Sequence, residues 1–196
     1  MATKNTQQRN IQALSFTYGM DGLQIRTSGG ASTLASFTGV SWGISATGAV
    51  SLSATITDSS ADATGTAAEA RIYHINGTAS GYLVNNASAA IGDSTMPVDT
   101  GTGTFTVGDV ITFASDTQEY IITKAHSSGA GTIEFFPPLV AAPADNAAIT
   151  LGTAREVTGL SVGTSGSDIN LDSTSITSGQ PVSITSGSVT EPAATA

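Results

Sequence analysis

The chain has 196 residues, with 15 acidic against 6 basic side chains, a net charge of −9 and no cysteine. Disulfides and thiolate metal sites are thereby excluded, and the scattered cations Lys4, Arg9, Arg26, Arg71, Lys124 and Arg155 form no basic patch for direct nucleic-acid binding. Charged residues make up only 11% of the chain, against about 25% in an ordinary globular domain, so solubility rests on Ser, Thr, Asn and backbone amides, and large polar interfaces are expected.

The first ten residues are polar and lack the apolar core of a signal peptide. No apolar run approaches membrane-spanning length. The expectation is a protein made in a cytoplasm and not exported by that route. Over Asn5–Tyr18, Ile11, Leu14 and Tyr18 follow i, i+3, i+7 spacing, which predicts one short helix stopped at Gly19. An extended N-terminal arm is the alternative, because Phe16 and Thr17 are indifferent helix formers.

Asp21-Gly22 reads as a turn into a short strand carrying Leu23 and Ile25. Leu34, Phe37, Val40 and Trp42 follow with irregular spacing. Then Val50, Leu52, Ala54 and Ile56 alternate without a break against Ser51, Ser53, Thr55 and Thr57, which predicts one strand with an apolar and a hydroxyl-lined face. Asp58–Gly65 is a polar turn.

Ala68–Ile75, A-E-A-R-I-Y-H-I, is the next half-buried strand. Glu69 and Arg71 share its polar face roughly 6–7 Å apart, within reach of each other or of neighbouring strands. Asn76-Gly77 then signals a hairpin, yet a differently composed stretch of about seventy-five residues intervenes before the Ser/Thr/Gly texture returns near Arg155. Within it, Tyr82–Val84, Phe105–Phe113 around Gly108-Asp109, Tyr120–Thr123, Ile133–Phe136 and Ala148–Leu151 are short apolar runs separated by turn clusters. That spacing predicts a small meander or barrel. After Arg155 come Leu160–Val162, Ile169–Leu171, Val182–Ile184 and Ser188–Thr190.

The expected fold is therefore mainly β. An antiparallel β-sandwich frame, 1–78 and 155–196, would carry an inserted small β-barrel or meander module, 79–154. Arg155–Val162 should return as the antiparallel neighbour of Ala68–Ile75.

Thr55–Arg71 (T-I-T-D-S-S-A-D-A-T-G-T-A-A-E-A-R) joined to Leu160–Thr190, with its V-G-T-S-G-S-D and S-G-Q turns, resembles a group of short proteins encoded among the virion genes of tailed bacteriophages. The middle piece is similar to small β modules of phage structural proteins, through Gly103–Ile111 (G-T-F-T-V-G-D-V-I) and the Pro137–Leu139 turn. The resemblance implies a virion component with a β-sandwich body.

The residues themselves indicate no reaction. Asp58 with Asp62, or Asp168 with Asp172, could offer oxygen to calcium, but Asp and Ser in turns ordinarily bond their own backbone. His74 and His126 have no acid nearby in sequence, and a surface or partly packed histidine is the expectation for both. No G-x-S-x-G elbow or phosphate loop occurs. Paired carboxylates for glycosidic chemistry remain open, and Trp42 reads as a core or interface residue before a sugar platform. Asn76-Gly77-Thr78 matches a glycosylation sequon and reads as a turn.

No catalytic, cofactor-binding or metal-binding residue is expected, and the chain is expected not to be an enzyme. The resemblance leads instead to a virion-located head decoration or cement protein, a homo-oligomer with trimer as the leading expectation, bridging capsid subunits, with the major capsid protein or other virion proteins as partners and without direct nucleic acid or membrane contact. The alternatives are a low-copy tail, neck or fibre-associated virion protein, and a host-glycan-binding module.

Overall fold

The structure is a computed structural model that describes residues 9, 17–46 and 48–190. The helix expected over Asn5–Tyr18 lies almost wholly outside the described residues. The chain is mainly β and divides into two compact units, residues 1–73 with 156–196, and 74–155.

The first unit begins with β1 (Gly22–Arg26), β2 (Thr33–Thr38), β3 (Trp42–Ala46), β4 (Ala49–Leu52), β5 (Ile56–Asp58), β6 (Gly65–Thr66) and β7 (Glu69–Tyr73). The second unit contains β8 (Ser80–Val84), β9 (Thr95–Thr102), β10 (Val110–Phe113), β11 (Tyr120–Lys124), β12 (Gly131–Phe136) and β13 (Ile149–Leu151). The chain then returns to the first unit in β14 (Glu156–Gly163), β15 (Ile169–Leu171), β16 (Ser175–Ile176) and β17 (Val182–Thr190).

In the frame one long sheet runs β2-β1-β7-β14-β15-β17-β4-β3, with β5 also on β17 and a separate β6–β16 pair. Its core draws on strands along the whole length of that sheet: Leu23 and Ile25 from β1, Ala70 and Ile72 from β7, Ile169 and Leu171 from β15, Val182 and Ile184 from β17 and Val50 from β4. This is the packing of a β-sandwich-type frame. The return strand pairs as expected: β14 is antiparallel to β7, with Tyr73 opposite Glu156 and Ala70 opposite Leu160.

The uninterrupted strand expected over residues 50–57 is two strands, β4 and β5. Both lie along β17, but Ser51 faces Ser188 while Ile56 faces Ile184, five residues on one side against four on the other. The extra residue is a bulge at Ser53–Thr55. Because side chains alternate with a period of two, the slip exposes Ala54.

The second unit is a six-stranded antiparallel sheet in the order β13-β10-β11-β12-β9-β8. Leu83 bridges Ala148, and Val84 exchanges backbone hydrogen bonds with Ala147 and Asn146, so the two ends nearly meet in a barrel. Inside, the rings of Phe113, Tyr120 and Phe135 meet edge to face, with centroids 5.3–5.4 Å apart. Each such pair adds about 0.5–1.5 kcal/mol beyond its buried area.

Two stretches here are not readable from local periodicity. Phe105, Val107, Ile111 and Phe113 share sequence parity, yet Val107 is exposed while the other three are buried. A turn closed by Asp109 N–H on Thr106 C=O interrupts the alternation. The apparently aperiodic stretch before Met96 runs into β9, whose Met96 and Val98 are fully buried. Pro97 fits because its carbonyl accepts from Asn85, beyond the last rung of the ladder to β8, where a missing N–H breaks no strand pairing.

Candidate functional site

Along the outer face of β7, Glu69 and Arg71 partner neighbouring strands. Glu69 lies 3.6 Å from Arg26 of β1, and Arg71 lies 2.8 Å from Glu156 of β14. Arg71 Nε also donates to Gln24 at 2.8 Å, and its guanidinium sits 5.0 Å from the Tyr73 ring centroid. These pairs are partly exposed and hold strand register at little net energy.

The expectation of a surface or partly packed His74 is corrected. His74 is 2% exposed and its Nε2 lies 2.8 Å from Oδ1 of Asp109, which is 0% exposed. Asp109 Oδ1 also accepts from Gly77 N–H at 2.9 Å and Thr106 Oγ1 at 3.0 Å, and Oδ2 accepts from Thr106 N–H at 2.8 Å. Burial pushes the Asp109 carboxyl up, but hydrogen bonds from His74, Gly77 and Thr106 together hold it below the usual carboxylate range. The acid was hidden from sequence because it stands 35 residues away. Its only signal was the turn-forming Gly108-Asp109.

This cluster has the residue types of a hydroxyl–imidazole–carboxylate relay but not its wiring. Thr106 Oγ1 and Asp109 both approach the same ring nitrogen, Nε2, at 3.3 and 2.8 Å. A relay needs the two partners on opposite nitrogens, and the imidazole and the carboxylate are both buried. The arrangement is a clasp between the segment leaving β7 and the turn ahead of β10.

Asn76-Gly77 is correspondingly not a hairpin turn. Gly77 has no positive φ, and a Cβ there would collide with the Thr104 carbonyl oxygen. Glycine is needed for close approach, and Asn76 Nδ2 is bonded to Gly152 C=O at 2.9 Å. The clasp also moves the boundary: the expected module began at residue 79, whereas the compact unit begins at His74.

The aspartates singled out for calcium are engaged with local backbone and serines. Asp58 accepts from Ser60 N–H and Ser36 N–H, and Asp62 accepts from Ser36 Oγ at 2.9 Å. Asp168 accepts both the N–H and the hydroxyl of Ser161, and Asp172 accepts from Ser173 N–H. Among the described residues no cluster of three or more His, Asp or Glu is placed to hold a metal ion.

His126 is partly buried, edge-on to Tyr82 and 3.2 Å from Gly129 C=O. Trp42 packs partly buried against the frame core, beside a cleft of about 310 Å³ that Tyr18 and Met20 also line. Its indole Nε1 is buried and has no hydrogen-bond partner among the described residues.

One end of the barrel exposes large apolar side chains. Ile91, Phe136 and Val140 are 72%, 62% and 54% exposed. Phe136 stands opposite Ile121 across the β11–β12 ladder. Gly92 N–H to Leu139 C=O and Leu139 N–H to Asp93 C=O tie the loop of Ile91 to the loop of Val140. Beside Val140 runs an alanine-lined groove of about 440 Å³, whose walls include Ser115, Asp116, Ala141, Pro143 and Asp145. Asp116 accepts from Tyr120 OH at 2.6 Å and from Gln118 N–H, which hold its carboxyl below the ordinary range.

No protein-family model matches the chain, and no curated protein matches it.

Proposed function

We propose that the protein is a structural component of a tailed-phage virion, a head decoration or cement protein that stabilises the shell by bridging capsid subunits as a homo-oligomer. One observation carries the reading. The two stretches that bear the phage resemblance, 55–71 and 160–190, lie far apart in sequence yet pair strand for strand in the frame. Ile56 stands opposite Ile184, Thr66 opposite Ser175 and Glu69 opposite Ser161. They act as one β unit, with the barrel inserted between β7 and β14.

A chain with only 11% charged residues suits this role, since hydroxyl- and amide-rich strands can bury polar contact area with little charge desolvation. The test is the copy number of the protein in purified virions. A number comparable to that of the major capsid subunit supports decoration. A few copies per particle assigns a tail, neck or fibre position, and absence from the particle rejects the virion role.

A further inference from the structure

The exposed end of the barrel combines an apolar ridge with an acidic groove. Ile91, Phe136 and Val140 form the ridge. Asp116 and Asp145 line the groove, and Asp93 borders the ridge through its backbone bond to Leu139. Between His74 and Arg155 the basic side chains are Lys124 and Arg155 alone, and Lys124 is engaged by Glu134 at 2.6 Å. The surface around this end is therefore anionic.

We propose that this end of the barrel docks a protein segment bearing a lysine or arginine flanked by apolar side chains. The apolar flanks would cover Phe136 and Val140, and the long aliphatic stem of the cation would lie along the alanines of the groove. Its charged head would meet Asp116 and Asp145. Asp116 keeps acceptor capacity for a partner, because its two oxygens carry four lone pairs and Tyr120, Gln118 and Thr117 occupy three. A second copy docked by this face would oppose carboxylates to carboxylates, and an anionic bilayer would be repelled in the same way. Charge thus selects a basic partner. The preference holds whichever particle carries the protein, so peptide binding and virion copy number can fail independently.

The test uses the full chain and two labelled peptides, one of alternating leucine and lysine, the other of alternating leucine and glutamate. Binding is read by fluorescence anisotropy at low and high salt, with circular dichroism confirming that the variants fold. The lysine peptide should bind at least about tenfold tighter than the glutamate peptide, and more weakly at high salt. Phe136→Ser with Val140→Ser should weaken it about tenfold, and Asp145→Asn several-fold. Equal binding of the two peptides, or unchanged binding by both variants, overturns the proposal. So does self-association of the chain, or binding to phosphatidylglycerol vesicles, that disappears in the Phe136→Ser/Val140→Ser variant, since either would assign the face to a different occupant.

Discussion

His74 and Asp109 meet at 2.8 Å with neither side chain reaching solvent, and the carboxylate gathers the Gly77 and Thr106 N–H groups around the same point. Removing it strands the buried imidazole together with the part-buried Gly77 and Thr106 donors. Asp109→Ala should lower stability by about 3–5 kcal/mol, the range for breaking a buried hydrogen-bonded pair. The measurement is denaturant unfolding of the full chain followed by Tyr and Phe signals from the barrel. A loss below about 1 kcal/mol would show that the clasp is not holding the barrel.

Acid should open the same clasp. The folded Asp109 carboxyl is held below its ordinary value of 3.8, so its contribution is fully present above that value and is lost as pH falls through the lower, folded one. Asp116 acts in the same direction. The wild type should lose stability steeply below about pH 4, and Asp109→Asn should flatten that limb of a stability-against-pH curve. An unchanged acid limb would remove Asp109 from the account.

At the alkaline end the sign reverses. Burial raises Tyr82 and Tyr120 above 10.0, and the bond to Asp116 raises Tyr120 further. A raised tyrosine contributes stability that is present below its ordinary pKa and lost as pH rises through the folded value. Tyrosinate absorbance should therefore show Tyr82 and Tyr120 titrating above the ordinary tyrosine value, together with barrel unfolding.

Gly77→Ala tests the close approach. Because the added methyl meets the Thr104 carbonyl, the substitution should cost about 1–3 kcal/mol in denaturant unfolding. A loss below about 0.5 kcal/mol would remove this contact from the account.

Replacing residues 74–155 with a two-residue Asn-Gly turn should leave a folded frame. Tyr73 and Glu156 are directly paired, so a type I′ turn can join them without moving either strand. Dispersed amide resonances and a cooperative thermal transition are the expected outcome. An unfolded product would mean that the frame depends on the barrel for its stability.

How much of this was legible in the sequence follows from how far apart the interacting residues lie. Local alternation was enough to mark Leu23 with Ile25, Ala70 with Ile72, and Ile169 with Leu171 as core-facing strand positions, because side-chain direction in a strand is set residue by residue. The change of texture between residues 77 and 155 was enough to separate a frame from an insertion, and the mainly β class followed from both. Alternation could not show where a strand breaks. Residues 50–57 alternate perfectly, and only pairing with β17 introduced the bulge that turns Ala54 outward. It also misled at Val107, where a turn stabilised by Asp109 overrode parity.

The Ala68–Ile75 segment shows the same division. Its polar and apolar faces were determined by its own residues. Whether Glu69 and Arg71 would bond to each other or across the sheet was decided by strand order, which brought Arg26 to one and Glu156 to the other. The burial of His74 was likewise a tertiary outcome, because its partner Asp109 is 35 residues away and the distance closes only when the barrel forms. The exposed apolar end of the barrel belongs to this second class. Phe136 follows the buried Phe135 and differs from it only in which side of β12 it occupies, and nothing in a hydrophobic residue states whether the surface it faces is the protein's own interior or a partner's.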